Sequence, residues 1–257
     1  MKICVSLGSD NANTLKNLLG DALNNNADHL EVRFDYLDKQ NMNRALEVVL
    51  DQTEKSVFTC RAPNEGGNYD GQEQDRVMTL RRLAAFRPML LDVELKTLID
   101  NDYLKDDFEA LNCQTLVSWH NFDHTPSDDA LAKLLKQIAE FSTNVKIITT
   151  AKSMNDNLRI LKLYGQAKSS NINLIAFCMG EEGILSRVLC TYAGAPFTYA
   201  SLGEAIAPGQ LTINEMKTIY DKLENQRLDL KDYKMWKDKP EQEFDDIIKI
   251  INEAREG

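Results

Sequence analysis

The sequence contains neither a long apolar run nor an excess of positive charge. No stretch approaches the roughly 18 apolar residues of a membrane-spanning helix, and the first residues, MKICVSLGSD, are unlike a secretory signal peptide. Aspartate and glutamate total 40 against 30 lysines and arginines, a formal net charge of −10. Because nucleic-acid binding depends largely on a basic surface, this balance argues against it as the main function. We therefore expect a cytoplasmic protein with no nucleic-acid or membrane partner.

The five cysteines form no motif. The cysteines lie far apart along the chain, at Cys4, Cys60, Cys113, Cys178 and Cys190. The sequence has no C-x-x-C pair and no cluster of histidine and cysteine, which a zinc site or a disulfide framework would require. We interpret the cysteines as buried, reduced thiols and expect no metal site.

What the sequence does contain is an alternation of short apolar runs with amphipathic segments of helical length. The runs that have the length and composition of buried strands are residues 2–6, 29–34, 56–60, 89–95, 114–119, 145–149, 174–179 and 197–201. Eight strands that alternate with helices predict an α/β fold of the (β/α)8 barrel type. An open, doubly wound sheet is the competing architecture, but the G-x-G-x-x-G turn expected after its first strand is missing.

The composition changes after about residue 222. Residues 223–257 are strongly charged, and EFDDIIKIINEA is the one segment there with clear helical periodicity. We therefore predict a barrel domain over residues 1–222 and a C-terminal extension over residues 223–257. The extension is expected to contain a helix that packs on the barrel or on a partner.

Lys146 stands inside the sixth apolar run, VKIIT. A lysine is almost never fully buried unless it is paired or functional. Apolar surroundings can lower the pKa of an amine toward about 7 or 8, so that it can add to a ketone or aldehyde. The structural alternative is an ion pair with Glu31 or another inward carboxylate. Lys152, in the polar loop beyond the strand, is the competing nucleophile.

His120 follows the fifth apolar run, in VSWHNFDHTP. In a (β/α)8 barrel, catalytic groups come from the C-terminal ends of the strands and the loops after them. An imidazole with its ordinary pKa of about 6.5 is a natural proton carrier near neutral pH. We expect His120 to be a general acid/base, with a structural role as the alternative. His29 is expected to be structural, and His124 to be a solvated loop residue.

Charged residues also stand at the ends of the second and third strands. In EVRFD, strand alternation places Glu31, Arg33 and Asp35 on the same side. They could form a self-satisfied ion-pair ladder, or Arg33 could fix an anionic substrate. Arg61 and Glu65 lie in TCRAPNEGG, a loop whose paired glycines allow a tight backbone path. Taken alone, the second pattern is a weak signal.

The seventh and eighth strands lead into two further polar groups. Arg187 falls in the first turn of a predicted helix, where a cation is unfavourable beside the helix dipole unless it meets an anion. Its alternative is an ordinary surface arginine. Gln210 follows the Pro-Gly turn of EAIAPGQ and could present its amide as a hydrogen-bond partner. An inward lysine, a histidine and several arginines together suggest imine chemistry on a carbonyl compound that carries a carboxylate.

The ordered motifs EVRFD, CRAPNEGG, SWHNF, VKI, MGEEGILSR and APGQ resemble those of the type I 3-dehydroquinate dehydratases, over about residues 1–222. The resemblance implies a (β/α)8 barrel, usually a homodimer, that uses no metal and no dissociable cofactor. It further implies the conversion of 3-dehydroquinate to 3-dehydroshikimate, in the shikimate route to chorismate and the aromatic amino acids.

The resemblance also implies a role for each matching residue. Lys146 would form a Schiff base with the substrate ketone, His120 would be the general acid/base, and Glu65 would pair with His120. The residues expected to bind the substrate are Glu31, Arg33, Arg61, Met179, Arg187, Tyr199 and Gln210. Arg187 would bind the substrate carboxylate, Gln210 would close over it, and Met179 and Tyr199 would pack beside the ring. Two positions depart from the pattern: Ile206 stands where serine or threonine is common, and Tyr199 stands where phenylalanine is frequent.

Two other functions remain open at this point. A class I aldolase would use the same imine chemistry, but those acting on sugar phosphates usually have a Gly-rich phosphate site after strands seven and eight. This chain has Arg187 and APGQ there instead, which suits a carboxylate better. A catalytically silent barrel that binds a small anion is the second possibility, and the presence of Lys146, His120 and Glu65 together disfavours it.

Overall fold

The computed structural model describes residues 1–203, 205–225 and 244–256. The strands are β1 Ile3–Gly8, β2 His29–Arg33, β3 Ser56–Thr59, β4 Leu90–Glu94, β5 Thr115–His120, β6 Asn144–Thr150, β7 Asn173–Met179 and β8 Thr198–Ala200. The helices are α1 Ala12–Asn24, α2 Lys39–Val49, α3 Glu73–Ala84, α4 Leu95–Asp100, α5 Tyr103–Ala110, α6 Asp128–Ala139, α7 Met154–Ser169, α8 Ile184–Ala193, α9 Ile213–Asn225 and α10 Asp245–Glu256.

The eight strands belong to one sheet and follow each other in chain order from β1 to β7, with β8 beside β1. The pairings from β1 through β5 are parallel. This order, with helices between successive strands, is that of a (β/α)8 barrel. The predicted fold class is therefore confirmed, and each predicted strand lies within two residues of an observed one at both ends.

Strand β4, LLDVE, carries two carboxylates among its apolar residues. All five of its residues are buried, as is expected for a parallel strand that is covered on both faces. Alternation places Asp92 and Glu94 on one face, while Leu91 and Val93 point to the other. The register pairs Asp92 with Thr59 of β3 and Glu94 with Ser118 of β5. A polar group therefore accumulates on one face of these strands.

The segment after β4 forms two short helices, α4 and α5. Leu95 and Leu98 are buried on α4, and Leu104 and Phe108 are buried on α5. These pairs are three and four residues apart, the spacing that places side chains on one face of a helix. Each helix is too short to show a clear period in the sequence.

Residue contacts divide the chain into two compact units. The first unit comprises Cys4–Trp119 and Ile138–Lys146, and the second comprises Met1–Ile3, His120–Gln137 and Ile147–Gly257. The first contains β2, β3 and β4 complete, and the second contains β7 and β8.

The predicted C-terminal helix is confirmed as α10, in the second unit. It buries Ile247, Ile250 and Ile251 and packs against α8 and α9. The predicted boundary after residue 222 falls within α9, and residues 226–243 lie outside the described part of the chain. Across the described ranges, no helix is long and apolar enough to cross a membrane.

Arg76 links α3 to β4 through a buried set of hydrogen bonds. Its side chain is inaccessible to solvent and donates to Glu94 at 2.8 Å, to the Cys60 carbonyl at 2.7 Å and to Thr97. A fourth partner, Glu73, lies one turn before it on α3. Burying a charge is unfavourable unless it is paired and hydrogen-bonded, and Arg76 meets both conditions.

We predict that Arg76→Met lowers the free energy of unfolding by about 3–5 kcal/mol, because it leaves the buried Glu94 carboxylate without one of its cations. Equilibrium urea denaturation measures this loss. The control is Lys96→Met, which breaks an exposed pair with Asp100 at 2.8 Å on α4. That change should cost less than about 1 kcal/mol. Equal losses in the two variants would contradict a stabilising role for the buried network.

Candidate active site

Lys146 on β6 is buried, with 5% of its surface exposed. Its Nζ donates to Asp92 Oδ2 at 3.0 Å and lies 3.5 Å from Glu31 Oε1. The structure thus contains the ion pair that we considered as the structural alternative. Val145 and Ile147 are next to the lysine in sequence, but strand alternation turns them to the opposite face. The amine therefore has two carboxylates within 3.5 Å, although its neighbours in sequence are apolar.

Asp92 is a functional candidate that the sequence analysis missed. One of its oxygens, Oδ2, accepts from both Lys146 and Arg61, the latter at 2.7 Å. The other, Oδ1, accepts from Ser118 Oγ at 2.6 Å. The signal that could have found it is the acid at alternate positions in MLLDVEL, the same pattern that drew attention to EVRFD. The carboxylate holds the lysine and the arginine at fixed positions.

Arg61 is buried and already engaged by protein groups. It donates to Asp92, to Glu94 at 3.0 Å and to Ser118 at 2.6 Å. Burial alone would lower the pKa of the Arg61 guanidinium, but the charges of Asp92 and Glu94 raise it well above its ordinary value. The guanidinium is thus a fixed cation whose charge two carboxylates balance.

The acid–base–acid pattern of EVRFD separates into two parts. Glu31 accepts from Ser6 at 2.8 Å and from Thr59 at 3.1 Å, and it faces Lys146. Arg33 instead makes two hydrogen bonds to Asp35, at 2.9 and 2.7 Å. Asp35 lies in a 3-10 turn after the end of β2, so the expected ladder does not continue along the strand.

The Arg33–Asp35 pair is self-satisfied. Burial raises the pKa of the Asp35 carboxyl, but the hydrogen bond and charge of Arg33 outweigh burial and hold that pKa below its usual range. Asp35 also accepts from the backbone of Asn68, at 3.0 Å. The ion-pair alternative considered for EVRFD thus describes Arg33 and Asp35, while Glu31 belongs with Lys146.

Glu65 is buried in a 3-10 turn, Pro63–Glu65, directly after the segment that carries Arg61. Gly66 ends this turn in the left-handed region, with φ of 77°. A Cβ on Gly67 would lie 1.9 Å from the carbonyl oxygen of Arg61, so no other residue fits this path. The paired glycines therefore make the tight loop that their sequence predicts, and Glu65 is fixed at its start.

His120 is the last residue of β5 and is half-buried. The backbone that follows is anchored to β6, because Asn121 donates to the Ile148 carbonyl at 2.8 Å and its own carbonyl accepts from Thr150 at 3.0 Å. The Asn121 side chain caps the next turn by accepting from the backbone of Asp123. The histidine therefore stands at a well-defined strand end, while His124 is exposed in the loop as expected.

Arg187 on α8 is 1% exposed. The alternative considered from the sequence, an ordinary surface arginine, is therefore wrong. One of its terminal nitrogens donates to the Pro208 carbonyl at 3.3 Å, and its guanidinium lies 4.4 Å from the centre of the Phe177 ring. Its Nε has no hydrogen-bond partner, and within the described ranges no carboxylate pairs with it. Burial lowers its pKa to about 10.

A buried cation with an unused donor is unfavourable for the folded protein by itself. An anion that bonds to the guanidinium would remove that penalty. Arg187 is therefore suited to bind a ligand carboxylate or a similar anion, in contrast to Arg61.

The loops beside Arg187 are held together by glycines. Gly209 has φ of 67°, and a Cβ there would lie 2.4 Å from the carbonyl oxygen of Gly180. Gly180 donates to the Pro208 carbonyl at 3.2 Å. The Gln210 side-chain oxygen accepts from the backbone of Ile206 at 2.8 Å, so it shapes its own loop. The APGQ segment is thus fixed against the end of β7.

Met179 and Tyr199 are buried on β7 and β8. Tyr199 packs against Phe177 and Phe197, with ring centres 6.4 and 5.5 Å apart. Tyr199 therefore belongs to a buried aromatic cluster in the second unit, and Met179 is buried at the end of β7 in the same unit. No group of histidine, cysteine and acidic residues in the described part of the chain could hold a metal ion.

Known proteins are similar to this chain over most of its length. The family model of type I 3-dehydroquinase matches residues 3–227. A 3-dehydroquinate dehydratase of Dehalococcoides mccartyi is 39% identical over 220 residues, which is 84% of this chain and 93% of that protein. A 3-dehydroquinate dehydratase of Methanopyrus kandleri is 36% identical over 205 residues, 79% of this chain and 91% of the other.

A solved structure shares the fold. The crystal structure of 3-dehydroquinate dehydratase from Geobacillus kaustophilus superposes with a TM-score of 0.79, covering 88% of this chain and 92% of the other at 22% identity. The family model covers residues 3–227, and the curated relatives are matched over most of their length. The chain belongs to the type I 3-dehydroquinase family.

Proposed function

We propose that this protein dehydrates 3-dehydroquinate to 3-dehydroshikimate through a Schiff base on Lys146. The observation that carries the proposal is the buried amine of Lys146, which lies beside Asp92 and Glu31 on the sheet. Family membership and the names of the curated relatives support the substrate and the reaction. The reaction belongs to the shikimate pathway, which leads to chorismate and the aromatic amino acids.

Lys146 lowers the barrier to removal of the proton on the carbon beside the ketone. Its amine adds to the substrate ketone, and loss of water gives an iminium ion. Removal of the proton at C2 then sends its electron pair into the cationic imine, where charge develops in the transition state. Asp92 and Glu31 offer negative charge beside the nitrogen in both its ammonium and its iminium forms. Loss of the neighbouring hydroxyl and hydrolysis of the imine release the product and the free amine.

His120 is the proposed proton carrier for these steps. It takes the C2 proton, gives a proton to the departing hydroxyl, and assists the formation and hydrolysis of the imine. Glu65 is the proposed partner that sets its tautomer and basicity. What supports the assignment is the anchored backbone after His120 and the fixed turn that carries Glu65.

Arg187 is the proposed partner of the substrate carboxylate. Its unused Nε and the absence of a paired carboxylate in the described residues support this role. Two parallel N–H···O bonds from a guanidinium fix the orientation of a carboxylate. Gln210 closes over the substrate, Met179 and Tyr199 pack beside its ring, and Glu31, Arg33 and Arg61 line the pocket. Arg61 also positions Asp92.

We further propose a cytoplasmic homodimer with residues 1–222 as the catalytic barrel. These statements rest on the family resemblance, and size-exclusion chromatography with light scattering tests the oligomeric state.

The Schiff base predicts a trapped adduct. Incubation with 3-dehydroquinate and borohydride should add one reduced ligand to Lys146, located by peptide mass spectrometry, because borohydride reduces the imine to a stable amine. Lys152→Ala is the matched control: Lys152 is exposed in the loop after β6, and its loss should leave the adduct unchanged. Turnover without any adduct on Lys146 would exclude the imine mechanism proposed here.

Replacement of the proton carrier should slow the reaction without unfolding the protein. We expect His120→Ala to lower kcat by about 100- to 10,000-fold, the usual range for a general acid/base. The control is His124→Ala, which changes an exposed histidine of the same loop and should leave kcat unaltered. Steady-state kinetics at neutral pH measures both. A wild-type rate for His120→Ala would refute its assignment.

Replacement of Arg187 should weaken substrate binding while preserving the fold. Because two charge-assisted hydrogen bonds are lost, Arg187→Met should raise KM by about 100-fold or more. Its free energy of unfolding should fall much less than that of Arg76→Met, since no buried carboxylate loses a cation. Kinetics and urea denaturation test the two statements. A KM close to that of the wild type would show that Arg187 does not bind the substrate.

A further inference from the structure

The C-terminal helix α10 lies beyond the family match, which ends at residue 227. Its last turn carries Arg255, which makes two hydrogen bonds to the Glu181 carboxylate, at 2.8 and 3.1 Å. Glu181 begins the 3-10 turn Glu181–Gly183 that follows β7. Helix α10, outside the residues that match the family model, is therefore bonded to the turn that precedes α8. Arg187 lies in the first turn of α8.

The same turn supports the APGQ loop. Gly180, directly before Glu181, donates to the Pro208 carbonyl at 3.2 Å, and its own carbonyl accepts from Gly183 at 3.0 Å. Gly209 packs so closely on the backbone of Gly180 that a side chain could not fit. The Pro208 carbonyl is shared, because it also accepts from Arg187 at 3.3 Å. A displacement of Glu181 would therefore be transmitted through Gly180 to both the loop and the arginine.

We infer that Arg255 is a positioning residue: through Glu181 it fixes the turn after β7, and so sets the geometry of Arg187 and the APGQ loop for a carboxylate ligand. This inference rests on the proposed function, in which Arg187 binds the substrate carboxylate. The inference gives a role to α10, which lies outside the residues that match the family model. The bidentate geometry matters, because two parallel bonds restrain the direction of the carboxylate as well as its distance.

A purely structural role for Arg255 predicts a different result. A cation in the last turn also stabilises its own helix through the helix dipole, and α10 has a second exposed pair, Lys222 with Glu253 at 2.9 Å. That pair joins α10 to α9 and does not contact the turn after β7. Lys222→Gln therefore weakens the attachment of α10 without disturbing Glu181, which makes it the matched control.

The experiment compares Arg255→Gln with Lys222→Gln in the full-length protein. We expect Arg255→Gln to raise the KM for 3-dehydroquinate about two- to fivefold, the effect of losing an exposed ion pair, with kcat changed by less than about twofold. Lys222→Gln should leave both constants unchanged. The double variant Glu181→Arg with Arg255→Glu restores the pair with reversed charges and should recover most of the wild-type KM.

Hydrogen–deuterium exchange of the ligand-free protein gives a readout that does not need turnover. Peptides covering residues 178–183 and 205–211 should exchange faster in Arg255→Gln than in the wild type, and at the wild-type rate in Lys222→Gln. Equal KM values and equal exchange in the two single variants would overturn the positioning role. If wild-type protein failed to turn over 3-dehydroquinate, the proposed function would be wrong, while the exchange comparison would still decide whether Arg255 positions the loop.

Discussion

The structure depends on the balance of charge around Asp92. This buried carboxylate accepts hydrogen bonds from Lys146, Arg61 and Ser118. Arg61 also donates to Glu94, which accepts a further hydrogen bond from Arg76. Buried charges persist only when they are paired and hydrogen-bonded, so no member of the network can be removed without a cost to the others. The amine of Lys146 is held in place by this network, and a catalytic group that is fixed before its substrate binds is preorganised.

Arg187 shows the opposite arrangement with the same type of side chain. It is as deeply buried as Arg61 but has a pKa lowered to about 10 by burial, and no described carboxylate offsets its charge. The difference separates an arginine that serves the fold from one suited to a ligand. Burying the Arg187 charge without a carboxylate lowers the stability of the ligand-free protein. When an anion binds, it removes this cost, and the energy recovered contributes to binding.

Glycine determines how closely the loops approach each other. At Gly67 and Gly209, a single added carbon would meet a backbone carbonyl at 1.9 and 2.4 Å. The first contact fixes the turn that carries Glu65, and the second joins the APGQ loop to the end of β7. From there the ion pair between Glu181 and Arg255 connects the end of β7 to α10, which lies beyond the residues that match the family model.

The sequence by itself determined the fold class and the candidates for the site. Eight apolar runs with helices between them favour a barrel. Lys146 stood out inside an apolar run, and His120 and Arg187 stood out at a strand end and a helix start, whereas Glu65 was a weak signal until the motifs were read together. The order of the six motifs, read with a known family, supplied the chemistry. Such features can be recognised from the sequence because the hydrophobic period of a strand or helix, and the position of a glycine in a loop, are visible within a few residues.

Only the tertiary structure decided which charges meet. Asp92, Ser118 and Arg76 escaped notice because each lies in an ordinary strand or helix, and their importance comes from partners 18 to 57 residues away. Arg33 and Arg187 looked alike as candidate anion ligands, yet one is paired with Asp35 and the other has no described carboxylate. Hydrophobic periodicity says which face of an element is buried, but the pairing of buried charges depends on distances between elements, and those are set by the fold.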